Sequence, residues 1–280
     1  MREPPFIDYL TIGHVAQDIT SDEPTLGGTV SFASRTALAM GYSTGVITSC
    51  LESLDLSELE GIQLLRHPSQ ETTTFKNTYS PQGRIQELHA KASDLDSNSV
   101  PENWRSTGIV HLGPVAREID PTLSDHFPHA FLGITPQGWL RRWDPSGHIS
   151  LTSWETIKDI LDRADAVVMS LEDLSFDEKA IPELRQHCNV LVITRAAHGA
   201  SIYWDDKCHD LPGMKVKEID STGAGDIFAT IFFILLHETG DPLEAGRFAN
   251  IVAAHSVRRK GIHSTPTSNE LELARNKVYP

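Results

Sequence analysis

Residues Asp220-Ser221-Thr222-Gly223-Ala224-Gly225-Asp226 set two acids around a small, glycine-broken turn, and the chain then enters an apolar run. If a strand precedes and a helix follows, the turn lies at a helix N-terminus. There, backbone N–H groups without intrahelical acceptors and the helix dipole both favour an anion. Gly223, Ala224 and Gly225 are small enough to let a phosphate approach the backbone. Asp226 sits in the first helical turn, which also favours a carboxylate. On these residues alone a plainer reading stays open, in which Asp220 or Ser221 caps the helix and the glycines only turn the chain.

What must hold this turn is an alternation of short apolar runs with helical patterns. Strands are expected at 6–13, 44–49, 108–113, 130–135, 166–170 and 190–194, with a further strand at 214–219 immediately before the acids. Helices are expected at 28–40, 154–163, 176–187, 223–237, 241–259 and 268–277. That rhythm means a parallel sheet covered on both faces. The helix after the turn is apolar on nearly every side, as a central buried helix must be. Residues 71–92 break the rhythm: Thr-rich, β-prone segments flank Pro81-Gln82-Gly83 and read as an antiparallel hairpin beside the sheet. One domain over 1–280 is expected, with a β lid formed by about 14–26 and 62–92.

Composition narrows the function classes. A chain of 280 residues with 39 % hydrophobic residues can bury a large core. The 24 basic against 38 acidic side chains leave a formal charge of −14, which repels nucleic-acid phosphates and anionic lipid. Cys50, Cys188 and Cys208 stand far apart with no CxxC spacing, and the histidines lack HExxH or Cys/His ligand spacing, so neither a disulfide framework nor a zinc site is expected. The first residues carry acids and a Pro pair where a signal peptide needs a basic start and an apolar run. No apolar run is long enough for a bilayer. A cytoplasmic protein with no nucleic-acid or membrane partner is expected. No GxGxxG follows the first strand and no GxxxxGK[ST] occurs, which disfavours a nicotinamide dehydrogenase and a Walker-type NTPase.

The opening stretch resembles the D-T-x-G-A-G-D signature of the ribokinase-like (PfkB-type) carbohydrate kinases, with Ser221 varying the second position. The resemblance implies a ribokinase-like three-layer α/β/α fold with a mostly parallel central sheet and a small β lid. It also implies ATP and Mg2+ as donor and cofactor, Asp226 as general base, and Gly223, Ala224 and Gly225 as an anion hole. Other segments match in the family's order. Gly13 to Asp18 resembles G-x-x-x-x-D, implying that Asp18 grips substrate hydroxyls. Leu26-Gly27-Gly28 resembles the Gly-Gly motif where backbone approaches the substrate, and Phe32 stands where ribokinases usually carry a sugar-binding Asn. Val168 to Asp173 falls at N-x-x-E, implying that Ser170 and Asp173, both substitutions, organise Mg2+ through water. Thr194 to Gly199 falls at T-x-G-x-x-G under the nucleotide, keeping Thr194 and Gly199 but placing Ala196 for a Gly. Arg247 through Gly261 resembles the last long helix and its loop, implying Asn250 and Gly261 beside adenine. Thr222, Gly223 and Gly225 would border the nucleotide phosphates, and Asp220 with Thr222 resembles the family's monovalent-cation loop, implying K+.

The stretch Gln137 to Asp144 looks like the myo-inositol kinase branch, implying that Gln137 and Arg141 or Arg142 reach a phosphate or a substrate hydroxyl. An inositol-like cyclic polyol is the favoured acceptor, with a ribose- or fructose-type sugar or a nucleoside as the alternative. A catalytically inactive ligand-binding protein on the same fold is the alternative of a different class, because fold does not fix function. The expected assembly is a monomer or homodimer.

Overall fold

Runs of buried β-branched residues make the frame. The computed structural model describes residues 6–19, 24–80 and 83–279. The chain opens with β1 (Tyr9–Ile12), β2 (Ala16–Ile19), β3 (Thr25–Gly27), α1 (Thr29–Ala39), β4 (Thr44–Cys50) and β5 (Gln63–Pro68). It continues through β6 (Thr73–Ser80), β7 (Gly83–Ala90), β8 (Ile109–Leu112), β9 (Phe131–Ile134), β10 (Arg141–Trp143) and β11 (Ile149–Leu151). The second half adds α2 (Lys158–Leu161), β12 (Ala166–Ser170), α3 (Ile181–Leu184), β13 (Val190–Thr194), β14 (Gly199–Trp204) and β15 (Lys207–Pro212). It closes with α4 (Ala224–Thr239), α5 (Pro242–Ser256) and α6 (Ser268–Val278).

The large sheet runs in the order β15-β14-β13-β12-β9-β8-β1-β4-β5, parallel from β5 to β13 and antiparallel at the β14–β15 edge. Strands β1, β4 and β8 are buried at every position, as parallel strands covered on both faces must be. One core layer gathers Leu10, Ile12, Val110, Leu112, Trp139 and Leu191, and the other gathers Phe32, Val168, Val192, Phe228 and Phe232. Helix α4 belongs to the second layer and buries every residue from Ile227 to Leu236. Among the described residues no helix is long and apolar enough to cross a membrane. A second sheet, β3-β2-β6-β7, stands beside the carboxyl ends of the parallel strands.

Several expectations shift. Residues 214–219 form no strand: the lysines and Glu218 leave no apolar face, Ile219 is exposed, and the backbone is held through Val257 O instead. The second segment expected for a lid, from about 62, joins the small sheet only from Thr73, because β5 pairs with β4 in the large sheet. The helices expected at 154–163 and 176–187 shrink to the single turns α2 and α3 flanked by 3-10 turns, the latter opened by Pro182. Pro81 and Gln82 of the expected hairpin turn lie outside the described residues. The β14–β15 hairpin has no Gly signal because Asp205 and Asp206 themselves take positive φ, 50° and 59°, the handedness a two-residue hairpin needs.

Candidate active site

The carboxyl ends of β1, β8, β9, β12 and β13 face the N-terminus of α4, the place where open α/β sheets bind ligands. Helix α4 starts from Gly223 at φ 79° with no side-chain cap. Its first-turn amides therefore point out with no intrahelical acceptor, although the Ala224 N–H already makes a turn bond to Ser221 O at 3.2 Å. A Cβ at Gly225 would project into open space, so the backbone is bare there. A Cβ at Gly223 would instead overlap the ring of Phe32. Phe32 is thus a buried platform beneath the turn rather than a wall of the acceptor pocket: it is 1 % exposed and packs among the core residues of α4.

Asp226 follows in the first turn. Burial pushes its carboxyl up to about 6; a hydrogen bond from Thr29 and the charge of Arg141 pull it down, while Asp173 and Asp18 push it further up. These four side chains are therefore within electrostatic reach of the Asp226 carboxyl. Thr29 starts α1 directly after Gly28.

Asp18 lies on β2, across from β3. A Cβ at Gly27 would overlap its carboxylate, and one at Gly28, at φ 86°, would overlap His14 O, so the Gly-Gly pair lets the start of α1 approach β2 and the turn before it. From β6, Asn77 Nδ2 donates to Asp18 Oδ1 at 3.1 Å, and from β7 Gln86 Nε2 donates to Asn77 Oδ1 at 2.9 Å. Arg141, 5 % exposed, donates from Nη1 to Val115 O and from Nη2 to Gln137 Oε1, each at 2.8 Å. Its guanidinium sits 5.1 Å from the Phe75 ring centroid, a cation–π position. Arg142, next on β10, points the other way: it is exposed and donates to Ser150 Oγ. The strand alternation thus decides between the two arginines that the sequence left equal.

Toward the other end, Asp173 is buried. Its Oδ2 accepts from Ser170 N at 2.8 Å and Oγ at 3.0 Å, and its Oδ1 accepts from Gln137 Nε2 at 3.4 Å. Among the described residues no cluster of three or more His, Cys, Asp or Glu could hold a metal ion. A carboxylate so engaged suits an ion held through water and phosphate, as Mg2+ commonly is. Thr194 Oγ1 donates to Met169 O at 3.4 Å, and Ala196 takes φ 48°, the conformation its Gly counterpart would adopt freely. Gly199, at φ 94°, leaves no room for a Cβ against Leu211 O. Asn250 Nδ2 donates to Pro212 O at 2.9 Å, tying α5 to the end of β15.

Asp220 staples two loops, Oδ1 accepting from Thr222 N and Oδ2 from Gly261 N, each at 2.9 Å. Burial pushes this carboxyl up, but the Gly261 and Thr222 donors and Lys260 outweigh it and hold it below the ordinary range.

The sequence reading passed over Thr29, Asn77 and Gln86. Thr73, Phe75 and Asn77 alternate along one face of β6, a period-2 signal present in the Thr-rich stretch 71–92.

Residues 147–268 match the model of the pfkB family carbohydrate kinases. "Probable fructokinase-5" of Arabidopsis thaliana is 24 % identical over 239 residues, 78 % of this chain and 70 % of that protein. The fructokinase of Escherichia coli is 28 % identical over 189 residues, 60 % of this chain and 61 % of that protein. A pyrophosphate-dependent kinase in the ribokinase family, complexed with a pyrophosphate analogue and myo-inositol, superimposes with a TM-score of 0.81 at 20 % identity, covering 95 % of this chain and 99 % of that one. Arabidopsis thaliana ribokinase complexed with ribose and ATP superimposes with a TM-score of 0.74 at 16 % identity, covering 96 % and 99 %. These superpositions show a ribokinase-like fold. The similarity to the pfkB family carbohydrate kinases is thus carried by residues 147–268, the stretch that holds α4 and its glycine turn.

Proposed function

We propose that this chain moves the γ-phosphoryl group of ATP onto a hydroxyl of a small polyhydroxylated ring, an inositol-like cyclic polyol ahead of a furanose sugar. The observation that carries this is Asp226: its carboxyl is pushed up to about 6, and it opens α4 beside the bare backbone of Gly225, within electrostatic reach of Asp18 and Arg141.

The acceptor lies between the lid and the sheet ends, with hydroxyls on Asp18 and beside Arg141. Asp226, ionised, takes the proton of the attacking hydroxyl. A bond forms from that oxygen to the γ-phosphorus as the bond to the β–γ bridging oxygen breaks, and ADP leaves. Charge on the transferring oxygens meets the amides of Gly223 to Gly225. Mg2+, when bound, neutralises donor phosphates, with Ser170 and Asp173 fit to hold it through water. K+ enters the proposal through Asp220 and Thr222, and the donor is bordered by Thr194, Gly199, Asn250 and Gly261. The chain works as one domain, monomeric or homodimeric and cytoplasmic, with the β3-β2-β6-β7 sheet as its lid.

The cyclic polyol is supported by the lid wing of Asp18, Asn77 and Gln86, three hydrogen-bonding groups in succession that suit a ring hydroxylated all round better than a nucleobase. The myo-inositol in the neighbouring kinase supports the same choice. A hexose is supported by the fructokinases. The pyrophosphate-dependent neighbour makes inorganic pyrophosphate the competing donor.

The test is turnover of inositols, fructose, ribose and nucleosides with ATP·Mg2+ and, separately, with pyrophosphate. Product should form with a cyclic polyol and ATP. No turnover of any acceptor with either donor would overturn the reading in favour of a binding protein.

A further inference from the structure

Glu118 is fully buried in the loop after β8, and no motif singles it out. Its Oε1 accepts from His14 N at 3.0 Å and Val115 N at 2.9 Å; its Oε2 accepts from Val115 N at 3.0 Å and Ala116 N at 2.6 Å. A buried carboxylate is costly unless so satisfied. The three amides come from two segments: the turn from β1 into the lid, and the loop leaving β8. The backbones are in close approach there, since a Cβ at Gly13 would overlap Gly113 O.

Each segment leads to one wall of the acceptor end. Val115 O receives Arg141 Nη1. His14 lies four residues before Asp18, and its imidazole ties both limbs of the lid: Nδ1 meets Thr73 Oγ1 at 2.7 Å and Nε2 meets Ser93 O at 2.9 Å. Thr73 Oγ1 also accepts from Ala92 N at 3.0 Å.

We propose that Glu118 is a positioning residue for the acceptor: it sets the spacing between Asp18 on the lid side and Arg141 on the sheet side without touching the acceptor. This rests on reading the Asp18–Arg141 end as the acceptor site. Glutamine keeps the shape but turns an NH2 toward N–H donors, so one segment loses its partner.

In Glu118→Gln, acceptor KM should rise about tenfold or more while kcat stays within about threefold and donor KM holds. Hydrogen exchange at the His14, Val115 and Ala116 amides should quicken. Asp18→Asn and Arg141→Lys report on the underlying reading. If they raise acceptor KM and Glu118→Gln does not, this inference falls and the reading stands; if neither raises it, the reading falls. Donor and acceptor KM rising together, with lowered kcat, would mark a merely structural residue and overturn the proposal. Glu118→Asp, which keeps the charge but shortens the reach, takes its place if the Gln variant does not fold. Failure of both to fold assigns Glu118 to folding alone and overturns it as well.

Discussion

The phenyl ring of Phe32 lies against Gly223 so closely that any side chain at Gly223 would occupy the ring's space. The turn that opens α4 is thus supported from below by an aromatic residue of α1, and the two helices pack together behind the sheet ends.

Gly223→Ala is accordingly expected to cost stability as well as activity. The methyl meets the ring and also sits at φ 79°, unfavourable for any side chain. A loss of about 1–3 kcal/mol in urea unfolding, with kcat lowered at least tenfold, is the expected outcome. Wild-type values in both measurements would refute the platform role of Phe32.

Asp226→Asn should lower turnover about 10²- to 10⁴-fold with little change in nucleotide binding. Turnover within twofold of the parent would remove Asp226 as base. The same variant should be more stable at pH 8. A carboxyl raised from 3.8 to about 6 favours the fold while protonated, and that contribution is lost as pH rises through 6. Melting scans should show Tm higher by about 2–6 °C at pH 8, the gain shrinking at pH 5.

Activity should follow the opposite sign. The base works ionised, so kcat/KM should fall with unit slope as pH drops below about 6. His111, buried between Tyr9 and Thr135, is pushed down to about 3 by burial and stays neutral throughout that window. A His111→Asn variant that folds should therefore keep the same inflection; an inflection lost with His111 would reassign it.

The two neighbouring arginines should separate. Arg141→Lys loses the forked contact to Val115 and Gln137 and should raise acceptor KM about tenfold or more. Arg142→Ala should leave acceptor KM within about twofold, since its partner is the exposed Ser150. Equal effects would contradict the outward direction of Arg142.

Much of the fold was legible in the chain because β1, β4, β8, β12 and β13 are short apolar runs, which the parallel sheet demands and periodicity reports. The turn that opens α4 was legible for a similar reason: small residues between acids ahead of an apolar run mark a helix N-terminus. What stayed hidden depended on partners far along the chain. Asn77 and Gln86 look like ordinary polar strand residues until cross-strand pairing brings them to Asp18. Phe32 reads as a departure at a sugar contact until its ring is seen beneath Gly223. The hairpin at Asp205-Asp206 escaped because a second Asp stands where such a turn usually carries Gly.

Helix α4 has one further consequence. Asp226 is mounted on an element whose next ten residues, Ile227 to Leu236, are buried, whereas Asp18 rides on the four-residue β2 of a small sheet. Segments so unequal in buried contact open at different free energies. On warming, the Asp18 end should therefore loosen while Asp226 still holds its place, and under the proposed function affinity for the acceptor should fade before the fold does.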